Sequence, residues 1–399
     1  MSKNNFSINS FYCVNNDKVI RGKCYLPADW KGKKLPTAII SHGFMGNLKM
    51  TKHYAEHFAS WGYASFVFDF CGGGPRCSSD GKTTDMTVFT EVEDLESVLD
   101  YVSSQPFVNT EDITLMGCSQ GGFVSALTAA KLKERIARLI LFYPALCIPD
   151  DARAGQMMFA KFDPKDIPET IKCGPMDIGH DYPATVLDMD PMKEIKDYAG
   201  PVCIIHGDKD QVVNVSYAEE AYETYMSQRD TDSGIPDENV FLHVLTGAKH
   251  GFSKKYDTLA IELVKEFLQG SRLMMKVDVE LTGKTMTRTG LEMQVHLPFK
   301  GKADSRYFKG EILPGAADNQ TITLKKHTAC ADYEIEGKDY TGSPCTVHII
   351  NRLENGTWHP TVTADSEALS FIGSKACRCV FEGRKQGPVI RIFCDTKKA

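Results

Sequence analysis

The sequence predicts an α/β fold built on a mostly parallel sheet, interrupted by an inserted cap and followed by a separate all-β, barrel-like domain. Three observations predict it. Between residues 10 and 270, short apolar runs alternate with helix-length periodic stretches. Several of those runs, ARLILFY and PVCIIH among them, are almost continuously apolar, as strands covered on both faces must be. After Leu268-Gln269-Gly270-Ser271 the helical period stops, and short alternating segments divided by Gly, Asp and Asn turns take over.

In chain order, strands are expected at 18–26, 37–41, 64–69, 112–117, 138–143, 201–206 and 240–246, with helices at 48–61, 88–104, 120–134, 214–227 and 256–269. Segment 147–198 has Asp-Pro and Gly-Pro steps and no clear period, which predicts a cap rather than a unit of the sheet. The polar stretch SQRDTDSGIPDEN predicts a surface excursion. From residue 273, MMKVDVEL, LEMQVHLPF, RYFKGEI, QTITLKK, CTVHIINRL, CRCVFEG and PVIRIF predict strands of a closed or nearly closed barrel. The expected domains are therefore 1–271, with the cap inside it, and 272–399.

Length and composition bound the function classes. At 399 residues the chain is long enough for two domains, and 42% hydrophobic with 25% charged residues is ordinary for a globular protein in water. A net charge of -6, without Lys/Arg runs beside aromatics, excludes an evident nucleic-acid groove. No apolar run approaches the roughly eighteen residues of a membrane span. The polar start MSKNNFSINSFYCVNNDK has no apolar signal core, so a cytoplasmic location is expected. The thirteen cysteines are odd in number and scattered, several in strand-like text such as Cys13 and Cys203, which predicts buried free thiols. Cys377-Arg378-Cys379 is strand text whose neighbours face opposite ways, and no second Cys or His cluster accompanies it, so no metal is expected there.

The chemistry concentrates in four stretches. Gly117-Cys118-Ser119-Gln120-Gly121 places Ser119 at the centre of G-x-S-x-G, after the apolar ITLM and before the helical FVSALTAAKL. A nucleophile at so tight a strand-to-helix turn needs small neighbours. It then projects its hydroxyl beside helix N-terminal amides that can receive developing negative charge. HGDKDQVV follows the strand PVCIIH and offers Asp208 and Asp210 as the acid, the loop-tip position leaning toward Asp210. Lys249-His250-Gly251-Phe252 follows the last strand of the sheet and makes His250 the base, while His206 is expected to support the acid loop. Finally, Ser41-His42-Gly43-Phe44 follows TAII, where backbone N–H groups of Phe44 and Gln120 could together hold an oxyanion.

With HGFMGN, VFDFCGGGPRCSSDG, GCSQGG, HGDKDQVV and KHGF in place, residues 10–270 resemble the α/β-hydrolase superfamily, and within it the bacterial cinnamoyl and feruloyl esterases. That resemblance implies Ser119, Asp210 and His250 as the catalytic set, with the amides of Phe44 and Gln120 as oxyanion donors. It also implies a cap whose polar residues meet the phenolic end of a substrate, here Asp151 and Tyr182 with Gln156 beside them. Phe44, Met157, Met158 and Phe159 would wall an aromatic acyl pocket. Cys71-Gly72-Gly73-Gly74-Pro75 stands where those esterases carry an Asn-Gly-His-Gly-like turn. The stretch WHPTVTADSEALSFIG is similar to a family of small bacterial β-barrel domains of uncharacterised function. Arg352, Trp358, His359 and Asp365 are candidates for its mouth.

The expected reaction is hydrolysis of a small-molecule aromatic ester through an acyl-enzyme on Ser119, which requires no metal and no organic cofactor. Alternatives are a general short-chain or aryl carboxylesterase, a serine peptidase or amidase, and a β domain acting as a binding or homo-oligomerisation module. Cys118, one residue before the centre of the motif, is expected to pack beneath the turn rather than attack.

Overall fold

Every residue of the runs Ala64–Phe68 and Val202–Gly207 is buried, which places these two apolar segments inside a sheet covered on both faces. The computed structural model describes residues 5–227, 239–372 and 376–395. They fall into two compact units, 5–227 with 239–256 and 257–372 with 376–395.

The first unit begins with β1 (Phe6–Asn15), β2 (Lys18–Pro27), β3 (Leu35–Ser41), α1 (Leu48–Ser60), β4 (Ala64–Phe68), α2 (Val88–Ser103), β5 (Val108–Cys118), α3 (Gln120–Lys131) and β6 (Arg138–Phe142). A cap follows, with α4 (Ile148–Arg153), the short ladders β7 (Gln156–Met157) with β8 (Ala160–Lys161) and β9 (Thr170–Cys173) with β10 (Met176–Gly179), then α5 (Asp181–Ala184) and α6 (Pro191–Ile195). The chain returns through β11 (Val202–Gly207), α7 (Ser216–Ser227) and β12 (Val240–Leu245). The sheet order is β1-β2-β4-β3-β5-β6-β11-β12. Only the β1–β2 and β2–β4 contacts are antiparallel; from β4 to β12 every neighbour is parallel. The loops after β3, β5, β6, β11 and β12 therefore emerge at one edge, where open α/β sheets place their ligands. β1 is not among the expected strands: this edge strand has a largely exposed surface that carries apolar Ile8, Tyr12 and Val14 beside polar residues, so its text shows no clean alternation. Most of SQRDTDSGIPDEN lies outside the described residues. Among those described, no helix is long and apolar enough to cross a membrane.

The second unit takes α8 (Lys254–Leu268) from Asp257 onward, whereas the sequence reading drew the boundary near 271. Arg378 donates to Glu266 of α8 at 3.0 Å and to Ser271 Oγ at 2.6 Å, tying the helix to strands of this unit. The strands are β13 (Ser271–Leu281), β14 (Thr285–Thr289), β15 (Glu292–Asp304), β16 (Phe308–Ile312), β17 (Ala317–Ile322), β18 (His327–Asp339), β19 (Pro344–Glu354), β20 (Thr357–Ala364), β21 (Cys377–Glu382) and β22 (Val389–Asp395). Their antiparallel sheet runs β20-β19-β18-β16-β15-β13-β22-β21, with β14 and β17 attached to β15. The end strands approach one another through Trp358 and Phe381, whose rings lie 5.1 Å apart, so the sheet curls into a nearly closed barrel. Trp358 packs rather than standing at an open mouth, and Asp365 accepts from the Thr346 N–H.

One expectation about the cysteines is corrected. Cys377 and Cys394 sit opposite each other on β21 and β22 with Cα atoms 4.3 Å apart, and are joined in a disulfide. Cys379, two residues along, shares the core-packed face with Cys377, with Arg378 turned the other way to Glu266.

Candidate active site

β5 ends at Cys118, and Ser119 takes φ 54° and ψ -121° before α3 begins at Gln120. A non-glycine residue in that region is strained and needs rigid surroundings. They are present: the Ser119 N–H donates to Phe142 O at 2.9 Å, and its carbonyl accepts from Gly122 N and Ala145 N. The flanking glycines are required by contact, since a Cβ on Gly117 would lie 2.0 Å from Gly121 O and one on Gly121 2.3 Å from His42 O.

Three side chains form a hydrogen-bonded chain from this turn. His250 Nε2 lies 3.0 Å from Ser119 Oγ, and its Nδ1 lies 2.8 Å from Asp210 Oδ2. Asp210 is fully buried through its side chain and also lies 3.2 Å from His206 Nε2. Its other oxygen accepts from Val212 N and Val213 N at 2.8 and 3.0 Å. Burial alone would raise its pKa, but the hydrogen bonds from His206, His250 and Val213 outweigh that and hold it well below the usual carboxylate range. Asp210 is therefore a permanent anion that can fix the imidazole tautomer with Nδ1 protonated and Nε2 facing the serine. Asp208 does something else: its Oδ1 accepts from Gly247 N at 2.6 Å and steadies a turn.

The loop after β3 passes close to the serine, so that a Cβ on Gly43 would meet Ser119 Cβ at 3.0 Å. His42, fully buried and held neutral chiefly by burial, pins this loop. Its Nδ1–H donates to Gly43 O at 2.8 Å and its Nε2 accepts from Phe70 N at 3.2 Å. The Gln120 amide is the first of α3 and has no acceptor within the helix. The amide ends of Phe44 and Gln120 thus belong to two segments that meet at Ser119. His42, Asp69 and Cys77 gather within 4.8 Å of one another, but their ligand atoms already serve backbone groups: Asp69 accepts from Leu48 N and Ser78 N, and Cys77 donates to Gly46 O.

Beside Ser119 opens a cleft with about 380 Å³ of empty space, part of it exposed to solvent. Phe44, Gln120, Asp151, Met157, Met158 and Tyr182 are among its walls, with Ala145, Cys147, Ile148, Val212 and Val213. Asp151 Oδ2 accepts from Cys147 Sγ–H at 3.2 Å, and its carboxyl is pushed up by burial. The Phe44 and Tyr182 rings lie 5.3 Å apart. Gln156 is exposed and is not among the lining residues, and Phe159 is 66% exposed and rests against Gly174.

Sequence reasoning missed one participant. Tyr182 donates its hydroxyl proton to Gln120 Oε1, and Gln120 Nε2 donates to Glu91 Oε2 at 2.8 Å. Glu91 is buried on α2 with Val88, Val92 and Leu95, three and four residues apart. An acid on that apolar stripe was the available signal.

The geometry allows acyl transfer at Ser119, and the comparisons agree on the fold. A family model described as "Serine aminopeptidase, S33" matches residues 33–172. The structure of Est1E from Butyrivibrio proteoclasticus with ferulic acid bound is 28% identical at a TM-score of 0.57, covering 65% of this chain and 97% of that one. The first unit has the α/β-hydrolase fold. The structure titled as DcsB in complex with its substrate analogue, 21% identical at a TM-score of 0.51, shares the same fold over 66% of this chain and 98% of its own. Among curated proteins, an uncharacterised 31.7 kDa protein of the Escherichia coli traX-finO intergenic region is 28% identical over 125 residues. That alignment spans 31% of this chain and 42% of the relative, so the chain spans about two fifths of the curated protein it matches. In the hydrolase unit, the G-x-S-x-G turn, the acid loop and the His250 loop all stand at the carboxyl edge of the parallel strands.

Proposed function

We propose that the hydrolase unit is a serine carboxylesterase that cleaves esters of hydroxycinnamic acids. The observation that carries this reading is the Ser119–His250–Asp210 chain opening onto a cleft with mostly apolar walls, into which Asp151 and Tyr182 bring polar groups beside Gln120. The likeness to Est1E, which holds ferulic acid in its structure, supports the aromatic acyl group. In the proposed reaction His250 Nε2 takes the Ser119 proton as Oγ attacks the ester carbonyl, with the oxyanion received by the amides of Phe44 and Gln120. His250 then protonates the departing alcohol. Water, deprotonated by the same imidazole, releases the acid and restores the serine.

The test is a panel of esters and amides run on the wild-type protein and on Ser119→Ala. Turnover of methyl ferulate or chlorogenate, abolished in Ser119→Ala, is the expected result. Cleavage of acetyl esters alone would move the assignment to a general carboxylesterase. Release of amines from aminoacyl amides in preference to esters would move it to the peptidase chemistry named by the matching family model. Removing residues from 272 onward separates the β unit's contribution: unchanged turnover and an unchanged number of subunits per particle would defeat both a catalytic and an assembly role for it.

A further inference from the structure

We propose that Glu91 is a positioning residue which, through the Gln120 side chain, makes Tyr182 a hydrogen-bond acceptor toward the cleft. The site would then select acyl groups bearing a free phenolic hydroxyl over their O-methyl counterparts. The inference rests on the cleft being the acyl site proposed above.

The direction of the chain follows from donor and acceptor inventory. Glu91 is 1% exposed, and its Oε2 accepts from Gln120 Nε2 at 2.8 Å. Its Oε1 has no partner among the described residues. Asp94, one turn on and equally buried, has both oxygens engaged, by Asn15 Nδ2 and Cys71 N. Glu91 thus carries an incompletely satisfied carboxyl at a cost in stability, and the one side-chain hydrogen bond this carboxyl makes among the described residues goes to the residue that follows Ser119. As a carboxylate, or as a neutral acid with its proton on Oε1, it presents Oε2 as an acceptor. That orients the Gln120 amide: NH2 toward Glu91, carbonyl toward Tyr182.

Tyr182 has one hydroxyl proton, and it is committed to Gln120 Oε1. What its oxygen can offer the cleft is lone pairs alone. Asp151, the other polar wall, offers carboxylate oxygens, one already accepting from Cys147. The donors that could have faced the cleft are used: the two Gln120 N–H groups are directed to Glu91 Oε2 and to Met86 Sδ, and the Cys147 S–H to Asp151. The polar end is therefore acceptor-only. A phenolic O–H supplies the missing donor, whereas a methoxy oxygen would face lone pairs with lone pairs. A buried acceptor left without its donor weakens binding by about tenfold to a hundredfold.

The experiment measures binding of methyl 4-hydroxycinnamate and methyl 4-methoxycinnamate to full-length Ser119→Ala protein by calorimetry, then repeats it with Glu91→Leu added. The expected ratio of dissociation constants is about tenfold or more in favour of the hydroxyl, falling to within about threefold with Glu91→Leu. Without the carboxyl, Gln120 can turn its amide and Tyr182 can donate into the cleft. A ratio within one protein does not depend on how much of it is folded. Should Glu91→Leu fail to fold, Gln120→Leu breaks the next link and must collapse the ratio in the same way. A ratio that persists in either folded variant overturns the proposal, as does equal or absent binding of the two esters to the Ser119→Ala protein. Wild-type turnover reports separately on the proposed function. A preferentially bound 4-hydroxycinnamate that is never cleaved defeats the esterase reading and leaves the selection standing. Cleavage of both esters at equal kcat/KM does the reverse.

Discussion

The most discriminating perturbation is Asp210→Asn, because it changes one proton and leaves the loop in place. The amide oxygen of an asparagine can keep the two bonds from Val212 N and Val213 N, so the turn after β11 should hold its shape. The NH2 group would then occupy the position of Oδ2, which His206 Nε2 and His250 Nδ1 approach at 3.2 and 2.8 Å. Donor would face donor on both sides. His250 escapes by moving its proton from Nδ1 to Nε2, and that places an N–H where Ser119 Oγ needs a base 3.0 Å away. The imidazole survives in the wrong tautomer. In serine proteases the corresponding change costs about 10⁴ in kcat, which is about 5.5 kcal/mol of barrier at about 1.36 kcal/mol per decade. The assay is the initial rate on an activated ester, with circular dichroism to show that the fold is retained. Asp208→Asn is the control: its carboxylate accepts from Gly247 N and lies 3.9 Å from Lys209 Nζ rather than against the imidazole, so kcat should stay within about twofold. A loss below about tenfold in Asp210→Asn, or an equal loss in Asp208→Asn, would refute the reasoning that the Asp210 anion sets the tautomer. Asp210 titrates below the ordinary carboxylate range, so whatever stability its charge contributes is present above about pH 3.8 and is lost only as pH falls through its depressed value.

Three further outcomes follow from named contacts. Cys118 is buried at the last position of β5 and it is Ser119 Oγ that lies 3.0 Å from His250 Nε2, so Cys118→Ala should keep most ester turnover while Ser119→Ala abolishes it; the reverse pattern would overturn the site. Glu91, fully buried and with its carboxyl raised well above 4.5 mainly by burial, binds its proton more tightly folded than unfolded. Its contribution is complete below about pH 4.5 and lost as pH rises toward the folded value, so wild-type Tm should fall relative to Glu91→Gln between pH 5 and pH 8. Parallel Tm profiles would show that this carboxyl does not titrate as its burial demands. In the second unit, alkylation under denaturing conditions should modify eleven cysteines before reduction and all thirteen after it, and thermal scans should show a loss of about 3 kcal/mol on opening the Cys377–Cys394 loop. Thirteen modified thiols without reductant would show that the bridge does not form.

The elements most legible in the sequence were those whose physics is local or repetitive. Ile113–Cys118 and Val202–Gly207 are buried on both faces, and nothing but near-continuous apolar text can form such strands. The G-x-S-x-G turn was legible because backbone crowding at Gly117 and Gly121 forbids other residues. Legibility failed where alternation was carried by small or polar side chains. β18 turns Ala329, Ala331, Tyr333 and Ile335 inward between acidic residues, and its weak apolar contrast concealed a thirteen-residue strand. The disulfide was invisible because its cysteines lie seventeen positions apart in the chain and only strand pairing sets them opposite each other.

Glu91 was hidden for a more instructive reason. Helical periodicity sorts residues by cost of burial and assigns every acid to the solvent face, yet on α2 both Glu91 and Asp94 lie on the buried side. Asp94 is explained by its two hydrogen-bond partners, which join the β1–β2 turn to the Cys71 loop. Among the described residues the Glu91 carboxyl has one, to Gln120, and its other oxygen none, whereas a leucine there would bury apolar surface at no such penalty. Its stability cost is therefore not recovered within α2. It is recovered in the orientation of Gln120 and Tyr182 beside Ser119, which is why the hydroxyl-to-methoxy binding ratio is the quantity at the site that Glu91 should control.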